Sequence, residues 1–317
     1  MTVRLSVRTA VWRSQIARMA AGVDGLVPVV KGNGYGFGRV RLAQLAAELA
    51  DTIAVGNVHE LADLPSGPDV VVLTPVGAEA FASPEVSALV VHHDPILTVG
   101  SIDHVAVLAH AGWRGRVVVK LESDMHRFGA GIGLVDAARS NGLDVVGVSI
   151  HPPTAGTDED HVRQVTDLLP GIDESLVVWV SHLSTSGYTS LPDSHRYRLR
   201  VGTSLWHGDK TALHLSADVL DVRPMSAGTR AGYHQAELAV DGRLVVIGAG
   251  SANGIAALPD GRSPFHFDRT RLALHEPPHM HVSMAFVPEG DPCPVVGDQV
   301  DVQRALHMTT VDEYRWW

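Results

Sequence analysis

"LVPVVKGNGYGFG", residues 26 to 38, decides how the chain is read. A continuous apolar run, Leu26 to Val30, breaks at a lysine and passes into alternating glycines, and "RVRLAQLAAELA" (39–50) follows with the leucine and alanine content of a helix. An uninterrupted Val/Ile/Leu run that feeds a helix is the mark of a parallel strand covered on both faces. The same unit recurs in "TIAVGN" (52–57), "DVVVLTP" (69–75), "ALVVHH" (88–93), "RVVVKLE" (116–122), "LDVVGVSI" (143–150) and "LVVWVSH" (176–182). This series predicts a (β/α)8 TIM-type barrel, with a doubly wound sheet as the alternative. The barrel is favoured because the conspicuous polar residues fall at the ends of several strands instead of at one switch point.

The lysine is itself informative. Lys31, Lys120 and Lys210 are the only lysines, every other basic side chain being arginine. A position that needed only positive charge would carry arginine here, so Lys31 suggests a need for an amine that can lose its proton.

From about residue 216 the texture changes. "VLDVRPMSAGTRAGYHQAELAVDGRLVVIGAG", "HMHVSMAFV" and "VGDQVDVQRAL" alternate short strands with Gly and Asp-Gly turns, which predicts an all-β second domain. The expected division is 1–211 for the barrel and 212–317 for the β domain, with the join in 207–216.

The 317 residues are 45% hydrophobic and 19% charged, enough to bury a sizeable core. A net charge of −10 with no cluster of basic residues argues against nucleic acid as a partner. The single cysteine, Cys293, excludes an intramolecular disulfide and fits a reducing compartment. Arginines interrupt the N-terminal stretch, so neither a signal peptide nor a membrane span is expected, and the location expected is cytoplasmic. Most of the 18 histidines are scattered; His279 and His281 share a face at strand spacing, but no nearby carboxylate pattern completes a site, and no metal is expected.

Barrel chemistry collects at the C-terminal ends of strands. Those ends supply Lys31 and Tyr35, Lys120 with Arg127, His151, Ser186, and Arg200 with Gly202. Each alone has an ordinary explanation: a solvated lysine, a histidine satisfied at the barrel rim, a surface ion-pair arginine, glycines that permit a turn. Together they place an amine, a phenol, a guanidinium, an imidazole and a hydroxyl at one open end.

With these motifs the chain resembles the alanine racemase family, the fold-type III enzymes that use pyridoxal 5′-phosphate (PLP). "VVKGNGYGFG" resembles the family's strand-end motif, which implies Lys31 as the Schiff-base lysine and Tyr35 near the phosphate. "VKLESDMHRFG" resembles its lysine-to-arginine segment, implying that Arg127 contacts the phenolic oxygen and substrate while Lys120, often a carbamate, supports it. "GVSIHPP" implies His151 against the pyridine ring, and "SHLSTSG" implies Ser186 at the phosphate. "LRVGTSLWHG" implies Arg200 at the pyridine nitrogen and the Gly202 and Thr203 amides at the phosphate.

The departures lie in the β domain. Where the family carries Gly-Tyr-Ala-Asp-Gly, this chain reads "GAGSANG", which puts Ser251 in the place of the tyrosine that serves the second face of the substrate; a second offset puts Ala249 there, and neither gives a phenol. Met280 matches the family's substrate-side methionine, and His281 replaces the aspartate beside it. A Ser251–His281 pair could take over as acid/base, since a serine needs a neighbouring base to move protons as a phenol does. In the lysine loop, Phe37 stands where a histidine is usual. Tyr314 in "DEYRWW" is a candidate remnant of a further phosphate-contacting tyrosine. The resemblance implies an enzyme acting at the Cα of an amino acid, working as a homodimer with shared active sites. The alternative is a catalytically impaired PLP-binding protein with a regulatory or partner-binding role. A barrel that has lost PLP altogether fits poorly with the retained Lys31, Arg127 and Arg200.

Overall fold

In the computed structural model, which describes residues 2–77 and 81–317, the chain forms two compact units. One comprises Gln15–Gly34 and Arg39–Gly208; the other comprises residues 1–14, Tyr35–Gly38 and Asp209–Trp317.

The first unit is a closed barrel. Its strands are β2 (Leu26–Pro28), β3 (Thr52–Val55), β4 (Asp69–Val72), β5 (Leu97–Val99), β6 (Arg116–Lys120), β7 (Asp144–Ser149), β8 (Val177–Ser181) and β9 (Tyr197–Val201). β5 through β9 pair in sequence order, and β9 pairs parallel with β2, Leu26 opposite Leu199. β3 and β4 form a parallel pair of their own. Parallel bridges Val29–Ala54 and Val71–Ile96 join that pair to its neighbours and close the ring. A doubly wound sheet would leave two free edges; here none of the eight strands is an edge. Inside and around the ring the apolar runs are fully covered, with Val27, Ile53, Leu97, Val119, Val148 and Val180 all at 0% exposure. That two-sided burial is why most of the strands read as continuous apolar runs. The exception is "ALVVHH" (88–93), expected as a strand: it forms the second half of the helix Pro84–His93, which Ser83 caps, and the strand of that unit is the shorter run Leu97–Val99.

The connections are built from local signals. Thr157 and Asp160 form a capping box that starts the helix Asp158–Leu168, and Ser101 caps the helix Ile102–His110. Two short helices, Thr185–Thr189 and Thr203–Trp206, follow β8 and β9. Trp206, fully buried, donates from Nε1 to the Val29 carbonyl at 2.7 Å, which anchors the end of β2 two residues before Lys31.

The second unit is mainly antiparallel β. Its spine is the long strand β10 (Leu213–Met225), which pairs with Gly242–Ile247 and Gln299–Val302. β1 (Val3–Val7) also pairs with β10, Val3 opposite Ala217, and runs parallel to Glu313–Trp316. Trp12, Phe37 and Trp316 pack as an aromatic cluster in this unit, Trp12 lying 5.0 Å from Phe37 and 5.4 Å from Trp316 between ring centroids. Among the described residues, no helix is long and apolar enough to cross a membrane.

Candidate active site

The lysine loop turns as its composition requires. Gly32, Gly34, Gly36 and Gly38 all have positive φ, between 63° and 90°, and Tyr35 between them has φ 53°. Five residues in the left-handed region within seven positions are tolerated because four of them are glycine, Tyr35 being the exception. The turn leaves Lys31 at the C-terminal mouth of the barrel.

Lys31, Lys120, Arg127, His151 and Arg200 lie close enough to act on one another. Lys31 is solvent-accessible on one side, yet the barrel wall beneath it removes hydration. Its pKa is lowered, first by that burial and then by Arg127 and Arg200, while Glu60 raises it. Lys120 is buried at 5% exposure, and burial, Arg200 and Arg127 bring its pKa from 10.5 down to about 7. His151 is pushed down to about 2 by burial, Arg200, Lys120, His182 and Arg127, so its imidazole is neutral across the physiological range. Arg200, withdrawn from water, falls to about 10. It still carries its proton at neutral pH.

Arg200 is held by carbonyls. It donates to the Ile150 carbonyl at 2.9 Å and to the Val180 carbonyl and Ser181 Oγ at 3.4 Å. Ser181 Oγ also bonds His151 Nδ1, and the His182 ring lies 4.5 Å from that of His151. Ser181 therefore links the guanidinium to the imidazole. Among the described residues no carboxylate forms an ion pair with Arg127 or Arg200. The mouth carries a surplus of positive charge.

Ser186 and the Gly202–Thr203 pair occupy the turns after β8 and β9. Ser186 is exposed, and its hydroxyl lies 2.8 Å from Ser184 Oγ, which in turn donates to Asp158 at 2.5 Å. Tyr35 belongs to the second unit and is buried there.

Ser251, Met280 and His281 also lie in the second unit, on two segments zipped together by backbone bonds from Ser251 N to the His279 carbonyl at 2.8 Å and from Ala252 N to the Met280 carbonyl at 2.9 Å. All three side chains are exposed, Met280 at 66%. No hydrogen bond joins the side chains of Ser251 and His281. The organised histidine is instead His279, whose Nε2 bonds the buried carboxylate of Glu276 at 2.5 Å. Glu276 also accepts the backbone N–H groups of Tyr233 and His234 at 3.0 and 3.1 Å, and the Tyr233 ring lies 4.4 Å from that of His279.

Sequence reasoning passed over Glu60, Ser181, His182 and Glu276. Ser181 and His182 end β8 and carry the signal already used for Lys31 and Lys120, polar residues at a strand terminus. Glu60 shows only as a carboxylate among apolar neighbours just after β3. Tyr314, by contrast, closes on the lysine loop: its hydroxyl stands 3.5 Å from where a side chain on Gly38 would begin.

Comparison with known proteins bears on the same regions. Residues 12–210 match the profile of the alanine racemase N-terminal domain. The alanine racemase of Corynebacterium efficiens is 28% identical over 284 residues, covering 80% of this chain and 76% of that one. Alanine racemase 1 of Oceanobacillus iheyensis is 27% identical over 199 residues, which is 57% of this chain and 52% of the relative, so the chain spans about half of that protein. Among solved structures, the alanine racemase of Bartonella henselae with covalently bound pyridoxal phosphate superimposes with a TM-score of 0.75, at 15% identity and with all of both chains covered. That of the D-cycloserine producer Streptomyces lavendulae gives 0.73 at 19% identity, covering all of this chain and 97% of the other. With the N-terminal profile matched across the whole barrel, the chain belongs to the alanine racemase family of PLP-dependent enzymes.

Proposed function

We propose that the chain is a PLP-dependent enzyme acting at the Cα of an amino acid, with an altered second acid/base. The observation that carries this reading is the convergence of Lys31, Lys120, Arg127, His151 and Arg200 at one end of the barrel, with more positive charge than the protein itself neutralises. Such a donor set fits an anionic, phosphorylated cofactor. When bound, PLP supplies an electron-withdrawing ring that makes the Cα proton of an amino acid removable.

The chain's own residues divide the remaining tasks. Lys31 would hold the cofactor covalently, which requires a free amine, and its lowered pKa favours that form. Arg200 would serve the pyridine nitrogen and, keeping its own proton, would leave that nitrogen unprotonated. His151, neutral, would pack beside the ring. Arg127 and Lys120 would serve the phenolic oxygen, Arg127 with Met280 would contact the substrate, and Tyr35, Ser186, Gly202 and Thr203 would serve the phosphate. Lys31 would also be the base that takes or returns the Cα proton on one face. Ser251 stands in for a phenol on the other, with His281 the candidate base beside it. A phenol has a reference pKa of ~10 and an unassisted serine hydroxyl is far less acidic. Losing one positioned acid/base group typically costs ~10²–10⁴-fold. The working form is a homodimer in which each β unit completes its partner's site.

Purified protein given PLP is expected to develop a visible absorbance band that Lys31→Ala abolishes. A protein that stays colourless and takes up no PLP sinks the reading. A second reading, a PLP-binding protein with a regulatory role, is favoured by one observation: the exposed Ser251 hydroxyl is bonded to no base. Incubation of amino acids in D2O separates the two. Deuterium gain at Cα without inversion marks chemistry from Lys31 alone, and racemisation lost in Ser251→Ala marks Ser251 as the second acid/base. No exchange with any amino acid favours the regulatory role.

A further inference from the structure

We infer that Glu60 is a positioning residue for Lys31, fixing the strand end that carries the amine and opposing the two arginines that draw off its proton. The functional meaning of this inference rests on the proposed role of Lys31; the contact itself does not.

Glu60 lies in the helical turn Val58–Asp63 that follows β3, and it is buried at 7% exposure. A carboxylate so placed must be satisfied, and its two oxygens are used on different strands. Oε1 accepts the Gly32 N–H at 3.0 Å, one residue beyond Lys31. Oε2 accepts the Gly56 N–H at 2.6 Å, one residue beyond the end of β3. Glu60 thus ties the ends of two strands that, among the described residues, are joined by the bridge Val29–Ala54. Asn57 Nδ2 adds a contact to Oε1 at 3.4 Å, and Arg39 Nη1 stands 3.9 Å from the same oxygen. Arg39 also donates to the Gly32 carbonyl and, from Nε, to Asp63 at 2.8 Å. The N–H and the C=O of Gly32 are therefore both held by charged groups.

The close approach is recorded at Gly56. A side-chain carbon there would meet the Glu60 oxygens at 3.1 and 3.2 Å and Lys31 Cβ at 3.2 Å. Carboxylate and lysine stem flank one empty point. Every charge facing Lys31 is then accounted for: Arg127 from the loop after β6 and Arg200 from β9 favour the free amine, and Glu60 favours the ammonium. Arg39, 3.9 Å from Glu60 Oε1, is itself paired with Asp63. While it caps these N–H groups, the carboxylate also acts on Lys31 through space, in the opposite sense to burial and the two arginines.

The three lysines make the test direct. The full chain, freed of cofactor and labelled with ¹³C at lysine Cε, gives three resonances, with Lys31 identified by its loss in Lys31→Arg. In Glu60→Gln the Lys31 titration is expected to move to lower pH, while Lys210 stays in place. The pH profile of PLP capture should move in the same direction. A folded Glu60→Gln protein whose Lys31 titrates as in the parent overturns the inference. Should that variant fail to fold, the Gly32 amide of the parent decides the matter: slow hydrogen exchange supports the tie to Glu60, and exchange at the rate of an open loop overturns it. Because the titration uses cofactor-free protein, a colourless protein with a Glu60-dependent Lys31 would sink the PLP reading and leave the pairing standing.

Discussion

Replacing Lys120 by methionine keeps most of the volume of a buried side chain and removes its titrating amine. In the native barrel that amine is lowered from 10.5 to about 7, chiefly by burial and then by Arg200 and Arg127. At ~1.4 kcal/mol per pH unit, the interval between those values corresponds to a ceiling of about 5 kcal/mol. Relaxation and water entry around a buried charge reduce the expected effect to about 2–3 kcal/mol. The sign follows from proton counting. Between pH ~7 and ~10.4 the unfolded chain holds a proton on Lys120 that the native state does not, so native stability rises with pH across that window. Below pH 7 both states are protonated and the penalty of the buried ammonium is felt in full. Lys120→Met escapes it. The variant is therefore expected to be the more stable protein at pH 6, and its advantage should vanish by pH ~10.4. Urea unfolding at a series of pH values measures the difference. The Lys120 ¹³Cε resonance identifies the barrel transition and reports its own titration. Parallel stability curves for the two proteins, or a Lys120 signal titrating near the ~10.4 of a free lysine, would refute the reasoning.

Two further substitutions probe the scaffold. Trp206→Phe removes the 2.7 Å bond to the Val29 carbonyl and is expected to cost about 1–3 kcal/mol in chemical denaturation, with weaker PLP capture because the end of β2 is loosened. Glu276→Ala strips acceptors from the Tyr233 and His234 amides and from His279, and should cost about 2 kcal/mol. Its effect should appear as faster amide exchange at Tyr233 and His234, with the Lys31 titration unchanged.

Most of the barrel site was legible in the sequence because two local signals coincide. Continuous Val/Ile/Leu runs mark parallel strands, and the residues that end those runs, Lys31 and Lys120, with His151 just beyond, point to one mouth. Glu60 was not legible for the opposite reason. Its role depends on accepting N–H groups from Gly32 and Gly56 at once, and nothing in "VGNVHELADL" announces a partner on another strand. Ser181 is similar: its hydroxyl matters because Arg200 and His151 both reach it. In the β unit, aligning motifs drew attention to Ser251 and His281, whereas the bonded cluster is Glu276, His279 and Tyr233. Motif alignment finds replaced positions; it cannot find which neighbour of the replaced residue has acquired a partner.

Periodicity and composition by themselves determined that the chain would form parallel strands followed by an antiparallel β region, and that an amine would stand where β2 ends. These are properties of short segments, set by which residues can be buried on two faces and which turns glycine allows. Whether the parallel strands would close was decided only in three dimensions, by the bridges Val29–Ala54 and Val71–Ile96 that remove the edges a doubly wound sheet would keep. The place of Val3–Val7 was decided the same way, through pairing with Leu213–Ala217 and with Glu313–Trp316 at the far end of the chain. The protonation of the site belongs to this class as well. Lys120 is a lysine like any other in the sequence, and it becomes an amine poised near neutrality only where burial and two arginines from other segments meet around it.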